Sequence, residues 1–294
     1  MTLAELEEQL ARTPFTPCSG NAAISRGWIS PRNDGALVAT VGGQWLIALS
    51  VQTRILPPSV VDEEVRERAT AFEDERGRKP GRKELRELRE RVTAELLLKT
   101  LTRRATTAIW IDPNAEWFCV DGSSPSKCDE VVDVLGLCLD QFPLKRLYTQ
   151  HAPQSAMADW LAGGEGPVEF TIDRDCELRA VGEEKAAVRY VNHPLDGDKI
   201  NAEIKAHLSD GKLPTRLGMT WGDRISFVLT ENLELKRIAY LDLIKEQAEN
   251  DRPQEQDRSD ANMALMTGEF GRLLPAVIAS LGGEVVEEVV ETSN

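Results

Sequence analysis

The sequence predicts an α+β fold of two mixed lobes plus a helical arm. Three observations carry that prediction. Apolar runs come in pairs separated by short turns, at residues 37–49 and again at 107–121. Between them, residues 60–104 carry dense charge and no strand pattern. After residue 150 helices and strands resume, without the strict alternation that marks a parallel βαβ sheet. We read residues 1–58 and 105–150 as a central α+β domain, 59–104 as the arm, and 151–294 as a second α+β domain.

Leu3, Leu6 and Leu10 sit near the helical period, and Pro14 ends that pattern. Phe15 to Gly20 reads as a loop. Leu37–Val41 and Gln44–Leu49 flank Gly42-Gly43, a hairpin signal. Thr107–Asp112 and Trp117–Asp121 form the second hairpin. Lys127–Leu139 repeats Val131, Val134, Leu135, Cys138 and Leu139 at three- and four-residue steps, as an amphipathic helix does. A strand is expected at Leu144–Tyr148, after Pro143. In the second half we expect helices at Ser155–Leu161, Lys199–Ser209 and Met263–Leu281, the last bent before Pro275 and stopped by Gly282-Gly283. Strands are expected at Val168–Ile172, Ala187–Tyr190, Arg216–Trp221, Ile225–Leu229 and Leu235–Tyr240. Glu246–Asp260 reads as an exposed loop, and Glu284–Asn294 as a frayed tail.

Composition excludes several classes. No apolar run approaches the roughly 20 residues of a membrane helix. The acidic start lacks the basic and apolar regions of a signal peptide, so a cytoplasmic protein is expected. The five cysteines are scattered, with neither the pairing of a disulfide framework nor the spacing of a zinc site. No nucleophile elbow, phosphate loop or His-Glu-x-x-His pair occurs, so neither metal nor cofactor is expected. One set of carboxylates, Asp112, Asp121 and Glu116, lies at the ends of the second hairpin. Such groups converging on Mg²⁺ cut phosphodiesters; two aspartates that merely start turns are the plainer reading. Six tryptophans fall in or beside apolar runs, as core residues do.

Charge is distributed unevenly. The chain carries −14 overall, yet residues 76–104 hold eleven Lys and Arg against four Glu, a local +7. Part of this solvates a helix: Glu87 with Arg91, and Glu95 with Lys99, stand at i,i+4. The segment from Gly77 to Lys83 differs, presenting Arg78, Lys79, Arg82 and Lys83 around Pro80-Gly81 with no acid among them. Two readings stay open on charge alone: a solvated helix face, or cations that displace counterions from a nucleic-acid backbone.

Further short matches occur in order along the chain. They are Leu6 to Ala11 with Phe15-Thr16-Pro17-Cys18, Gly27-Trp28 with Pro31, Ile55-Leu56-Pro57 with Val60, Trp110-Ile111-Asp112 and Val120-Asp121. Trp160, Gly211-Lys212, Trp221 with Arg224-Ile225, Leu235-Lys236-Arg237, Leu265 to Glu269, and Leu281-Gly282-Gly283-Glu284 follow. This ordered set resembles the recombination-associated RdgC family. The resemblance implies a horseshoe-shaped α+β protomer that pairs into a closed homodimeric ring. It also implies that the ring binds double-stranded DNA without sequence preference, associates with the nucleoid and restrains RecA-promoted recombination, and no catalysis is expected. It places DNA contacts at Arg54, Arg78, Lys79, Arg82, Lys99 and Arg189; Lys83 joins them from the acid-free basic turn and Lys212 from the Gly211-Lys212 match, and a ring contact falls at Leu101, where the family has an aromatic. Val191, Asn192 and His193 depart from the family's basic turn, and nothing before Thr2 matches its first strand. A module that acts directly on the recombinase is the alternative, its arm then being a solvated helix.

Overall fold

The computed structural model describes all residues except 33, 123, 142–143, 182–185, 196, 242–254 and 286–294; for 255–262 only the helical backbone is described. The chain divides into two compact units, Met1–Leu144 and Lys145–Asn294. Among the described residues it forms seven helices and two open antiparallel sheets of five strands each. No helix among them is long and apolar enough to cross a membrane.

In the first unit, α1 (Leu3–Leu10) opens on Thr2, whose hydroxyl accepts from Glu5 N while the Glu5 carboxylate accepts from Thr2 N. Three strands follow: β1 (Ile24–Ile29), β2 (Ala39–Val41) and β3 (Gln44–Arg54). Gly42 and Gly43 both take positive φ, 58° and 83°, which gives the tight turn its hand. After the helical arm come β4 (Thr102–Asp112), β5 (Trp117–Val120) and α4 (Pro125–Cys138). The order is β1-β3-β4-β5, with β2 beside β3. Ile47 faces Ile109 across the β3–β4 ladder, and Leu49 faces Trp28 across β1–β3. These side chains pack with Leu6 and Leu10 of α1 and with Val131, Val134 and Leu135 of α4. Burying a leucine or isoleucine fully is worth about 1.5–3 kcal/mol, so the sheet's α-covered face carries most of the unit's cohesion.

Both predicted hairpins and the amphipathic helix at 127–139 are present. Strand β1 was not foreseen: Ile24-Ser25-Arg26-Gly27-Trp28-Ile29 has little apolar alternation. It forms through its antiparallel pairing with β3, and it needs glycine at 27 because a Cβ there would lie 2.4 Å from the Phe15 backbone. The strand expected at Leu144–Tyr148 is absent. Thr149 makes a single bridge to Glu284, and Gln150 N donates to Gly283 O.

The second unit starts with α5 (Pro153–Gly163). It continues through β6 (Phe170–Ala180), β7 (Ala187–Tyr190), α6 (Asp198–Ser209), β8 (Lys212–Trp221), β9 (Ile225–Thr230), β10 (Leu235–Tyr240) and α7 (Glu255–Ser280). The strand order is β10-β9-β8-β6-β7. Leu178, Leu217, Met219, Ile225 and Phe227 form the core with Met157, Ile204, Leu273 and Val277. Residues 255–260, expected as loop, are the first turns of α7, which runs through Pro275; residues 246–254 and the tail 286–294 lie outside the described residues. Glu269 of α7 is buried, with its carboxylate accepting from Arg224 Nε at 2.9 Å and from Arg272. That paired charge pins α7 to the sheet, since an unpaired buried carboxylate is strongly unfavourable.

Candidate nucleic-acid interface

The arm consists of α2 (Pro58–Arg76) and α3 (Arg82–Leu97), which pack against each other. Its apolar seam is thin: Val61, Val65 and Val92 are buried, with Leu56, Leu88 and Leu96 against them. Charge supplements that seam on both flanks. Arg89 pairs with Asp62 on one side, and Arg68 reaches Glu64 and Glu95, each at 2.7 Å, on the other. The expected pairs Glu87–Arg91 and Glu95–Lys99 do not form. Glu95 turns instead across the helix pair to Arg68, and Glu87 lies 3.9 Å from Lys83. The Arg68 hydrogen bond holds the Glu95 carboxyl below its ordinary pKa. The arm's helix also stops sooner than the charge pattern suggests: Leu97 ends α3, and Arg103 and Arg104 stand on β4.

The turn at the arm's tip is organised rather than loose. Both Arg78 terminal nitrogens donate to Glu84 at 2.8 Å, and Gly81 N donates to the same carboxylate at 2.7 Å. Arg78 and Arg76 both lie over the Phe72 ring, at 5.3 and 5.6 Å from its centroid. The Arg78 hydrogen bonds, then the Gly81 N–H, bring the Glu84 pKa down to about 2. Arg78 is therefore committed to shaping the turn. Lys79, Arg82 and Lys99 are exposed and make no ion pair among the described residues, and Lys83 has only the long contact to Glu87. An unpaired ammonium or guanidinium is the group best able to trade its counterions for phosphate.

The remaining anticipated cations are placed differently. Arg54, at the end of β3, is a main-chain clamp: Nε donates to Ala22 O at 3.1 Å, one terminal nitrogen to Leu97 O at 2.6 Å, and the other to Cys18 O and Gly20 O at 3.3 Å. It ties the end of α3 to the loop before β1, using four of its five N–H donors. In the second unit, Lys212 is mostly covered and lies 3.4 Å from His207 Nδ1 and 3.6 Å from Asp210. Arg189 is 2.7 Å from Glu177. Leu101 is 81% exposed, beside exposed Leu98 and Ile55, and Ile55 N donates to Leu101 O.

The three carboxylates raised for metal chemistry do not converge. Asp112 faces Trp117 across the hairpin, whereas Asp121 N donates to Ala108 O. Four residues of β4 separate those positions, roughly 13 Å at about 3.3 Å per residue. Asp112 Oδ1 accepts from Asn114 N and Ala115 N, an Asx turn, and Glu116 takes φ 60° within that turn. Burial pushes the Asp112 pKa up, but the Ala115 N–H, the Gln44 side chain and the Asn114 N–H together outweigh it and the net shift is down. Among the described residues no group of three His, Cys, Asp or Glu is placed to hold a metal. Of the tryptophans, Trp28, Trp110 and Trp221 are buried.

The fold and this surface define a mixed α/β protein with a cluster of accessible cations on a helical hairpin within an acidic chain. Comparison with known proteins then assigns it. A family model described as "Putative exonuclease, RdgC" matches residues 1–284. A recombination-associated protein RdgC of Dechloromonas aromatica is 61% identical over 285 residues, covering 97% of this chain and 93% of that one. Proteins of the same name from Bordetella parapertussis and a Janthinobacterium species are 44% and 43% identical, each covering at least 95% of this chain and 92% of their own. The chain belongs to the RdgC family.

Proposed function

We propose that this protein binds double-stranded DNA without sequence preference, as a homodimeric ring, and that it restrains RecA-dependent recombination without catalysis. The observation that carries the reading is the set of exposed arm cations, Lys79, Arg82 and Lys99, left without acidic partners in a chain of net charge −14. Cations that serve only a helix's own stability are expected to be paired along it; these are not. Family membership supplies the link to recombination, through the names its relatives carry. Leu101, with Leu98 and Ile55, offers the apolar surface for a second copy of the chain. Nucleoid association follows from DNA binding. The residues carry no base-reading logic: backbone contacts fix position and leave sequence unread.

The test is competition binding on linear and covalently closed duplex DNA across a salt series, with mass followed by light scattering. A dimer that slides off linear DNA yet stays on closed circles at high salt supports encirclement. A monomer, or a chain that binds no DNA, defeats it and moves direct action on the recombinase to first place. The family model's description raises a second activity, so Mg²⁺ and Mn²⁺ belong in the same assay. We expect no cleavage, because Asp112 and Asp121 stand at opposite ends of their hairpin.

A further inference from the structure

Across the second sheet, Arg189 on β7, Glu177 on β6 and Arg216 on β8 stand directly opposite one another. They share the face turned away from the core, since their neighbours Cys176, Leu178 and Leu217 point into it. Arg179, two residues along β6, lies on the same side. Glu177 is only 5% exposed, an unusual place for an acid on the polar side of a sheet. Both of its oxygens are engaged: one accepts from Arg179 at 2.6 Å and from Thr215 Oγ1 at 3.2 Å, and the other lies 2.7 Å from Arg189 Nε.

A break in the ladder makes this possible. Pro214 has no N–H to give, and the β6–β8 register shifts between Glu177 and Leu178, where Thr215 is the extra residue. The bulge turns Thr215 onto Glu177. Burial pushes the Glu177 pKa up, but the hydrogen bonds from Arg179 and Thr215 and the Arg189 charge push it further down.

A buried carboxylate is a costly way to decorate a strand unless its partners need holding. Here it holds two guanidinium groups that remain largely exposed, each with donors to spare. Arg216 completes the row, exposed and without an ion pair among the described residues. The three arginines exceed the single acid by two charges. Guanidinium forks fixed in this way match phosphate oxygens better than mobile lysines do.

We infer that Arg179, Arg189 and Arg216 form a second phosphate-binding site, for the backbone of duplex DNA, and that Glu177 is its positioning residue. The inference rests on the proposed DNA-binding function. It is tested by the salt dependence of affinity for a random-sequence duplex, using the full chain and its Arg216→Ala, Arg179→Ala and Glu177→Gln variants. Each arginine removed is expected to weaken binding roughly eightfold near 0.1 M salt and to lower the salt slope by about 0.9. Glu177→Gln adds a net positive charge, yet is expected to weaken binding because the forks lose their anchor. Tighter binding by that variant would show that the acid merely repels DNA. Glu177 is buried, so its variant is checked by thermal melting. Arg216 is exposed, and an Arg216→Ala protein that binds with unchanged slope overturns the site by itself. A wild-type chain that binds no duplex defeats the DNA-binding reading instead, so the two failures are distinguishable.

Discussion

The arm buries Val61, Val65 and Val92; the sheet of the same unit buries Trp28, Ile47, Leu49, Ile109 and the inner faces of two helices. Both are built from one stretch of chain, yet they are held by different forces. The sheet gains from area removed from water, which salt hardly touches. The arm leans on ion pairs such as Arg68–Glu95 and Arg89–Asp62, whose partners are exposed or half-buried. Pairs of that kind contribute little each and are screened by salt. The difference explains why a local excess of +7 is a poor count of available charge. Some of those cations, such as Arg78 and Arg89, are already spent on keeping the arm together, and the unspent ones are the freest to meet phosphate.

The sharpest way to break this contrast is to cut each apolar seam. Leu49→Ala should cost the sheet about 2–5 kcal/mol, read as a fall in the global unfolding midpoint. Val92→Ala should cost about 1–3 kcal/mol and appear as faster hydrogen exchange confined to α2 and α3. Global loss of protection in the Val92 variant would mean that the arm is not a separate cooperative segment.

Next in size is the division among the arm's cations. Replacing Lys79, Arg82 and Lys99 together by Ala should weaken duplex binding by about two to three orders of magnitude near 0.1 M salt and lower the salt slope by roughly 2–3. Replacing Arg78 should change the slope less, because Glu84 already holds it. Equal effects would show that the turn reorganises on DNA and that the paired state is no guide to availability.

Arg54 separates clamp from contact. Arg54→Ala leaves the main-chain carbonyls of residues 18, 20 and 22 without this donor, and Leu97 O with Thr100 alone, for an expected loss of about 1–3 kcal/mol in stability. Arg54→Lys should recover little of that, since an ammonium cannot fork to four acceptors. A lysine variant with normal affinity and slope but lowered melting temperature supports the clamp. A slope reduced by about one in Arg54→Ala would make Arg54 a phosphate contact after all.

Much of the fold was legible because its signals are local. Gly42-Gly43 names its turn, the spacing of Val131, Val134 and Cys138 names a helix, and Pro80-Gly81 splits the arm. What stayed hidden depends on distant partners. Strand β1 exists through its pairing with β3 and the close pass of Phe15, which no periodicity records. The candidate site divides in the same way. Exposed Lys79, Arg82 and Lys99 were readable as a basic turn and helix. Arg54 was not readable as a clamp, because its acceptors are backbone carbonyls assembled by the fold. Glu177 was missed for a related reason: its partners lie on three strands, and the only local trace is Glu177 and Arg179 two residues apart.

The smallest expected effect concerns the tip of the arm. Glu84 is depressed from 4.5 to about 2, chiefly by Arg78 and then by Gly81 N–H. A carboxyl lowered on folding contributes its stability above its unfolded value, and that contribution is lost as pH falls through the folded value. Order at the turn should thus be complete above about pH 4.5 and fade between there and about 2. The sheets should stay intact through the upper part of that range, so the change should be local: Phe72 ring signals and amide exchange at residues 77–84 shift while the β3–β4 amides do not. Glu84→Gln should show the low-pH pattern already at neutral pH, with Arg78 released and more available to phosphate. If that variant binds DNA no more tightly than the wild type, the Arg78–Glu84 pair does not limit the charge at the tip, and the distinction between spent and unspent cations fails where it is most exposed.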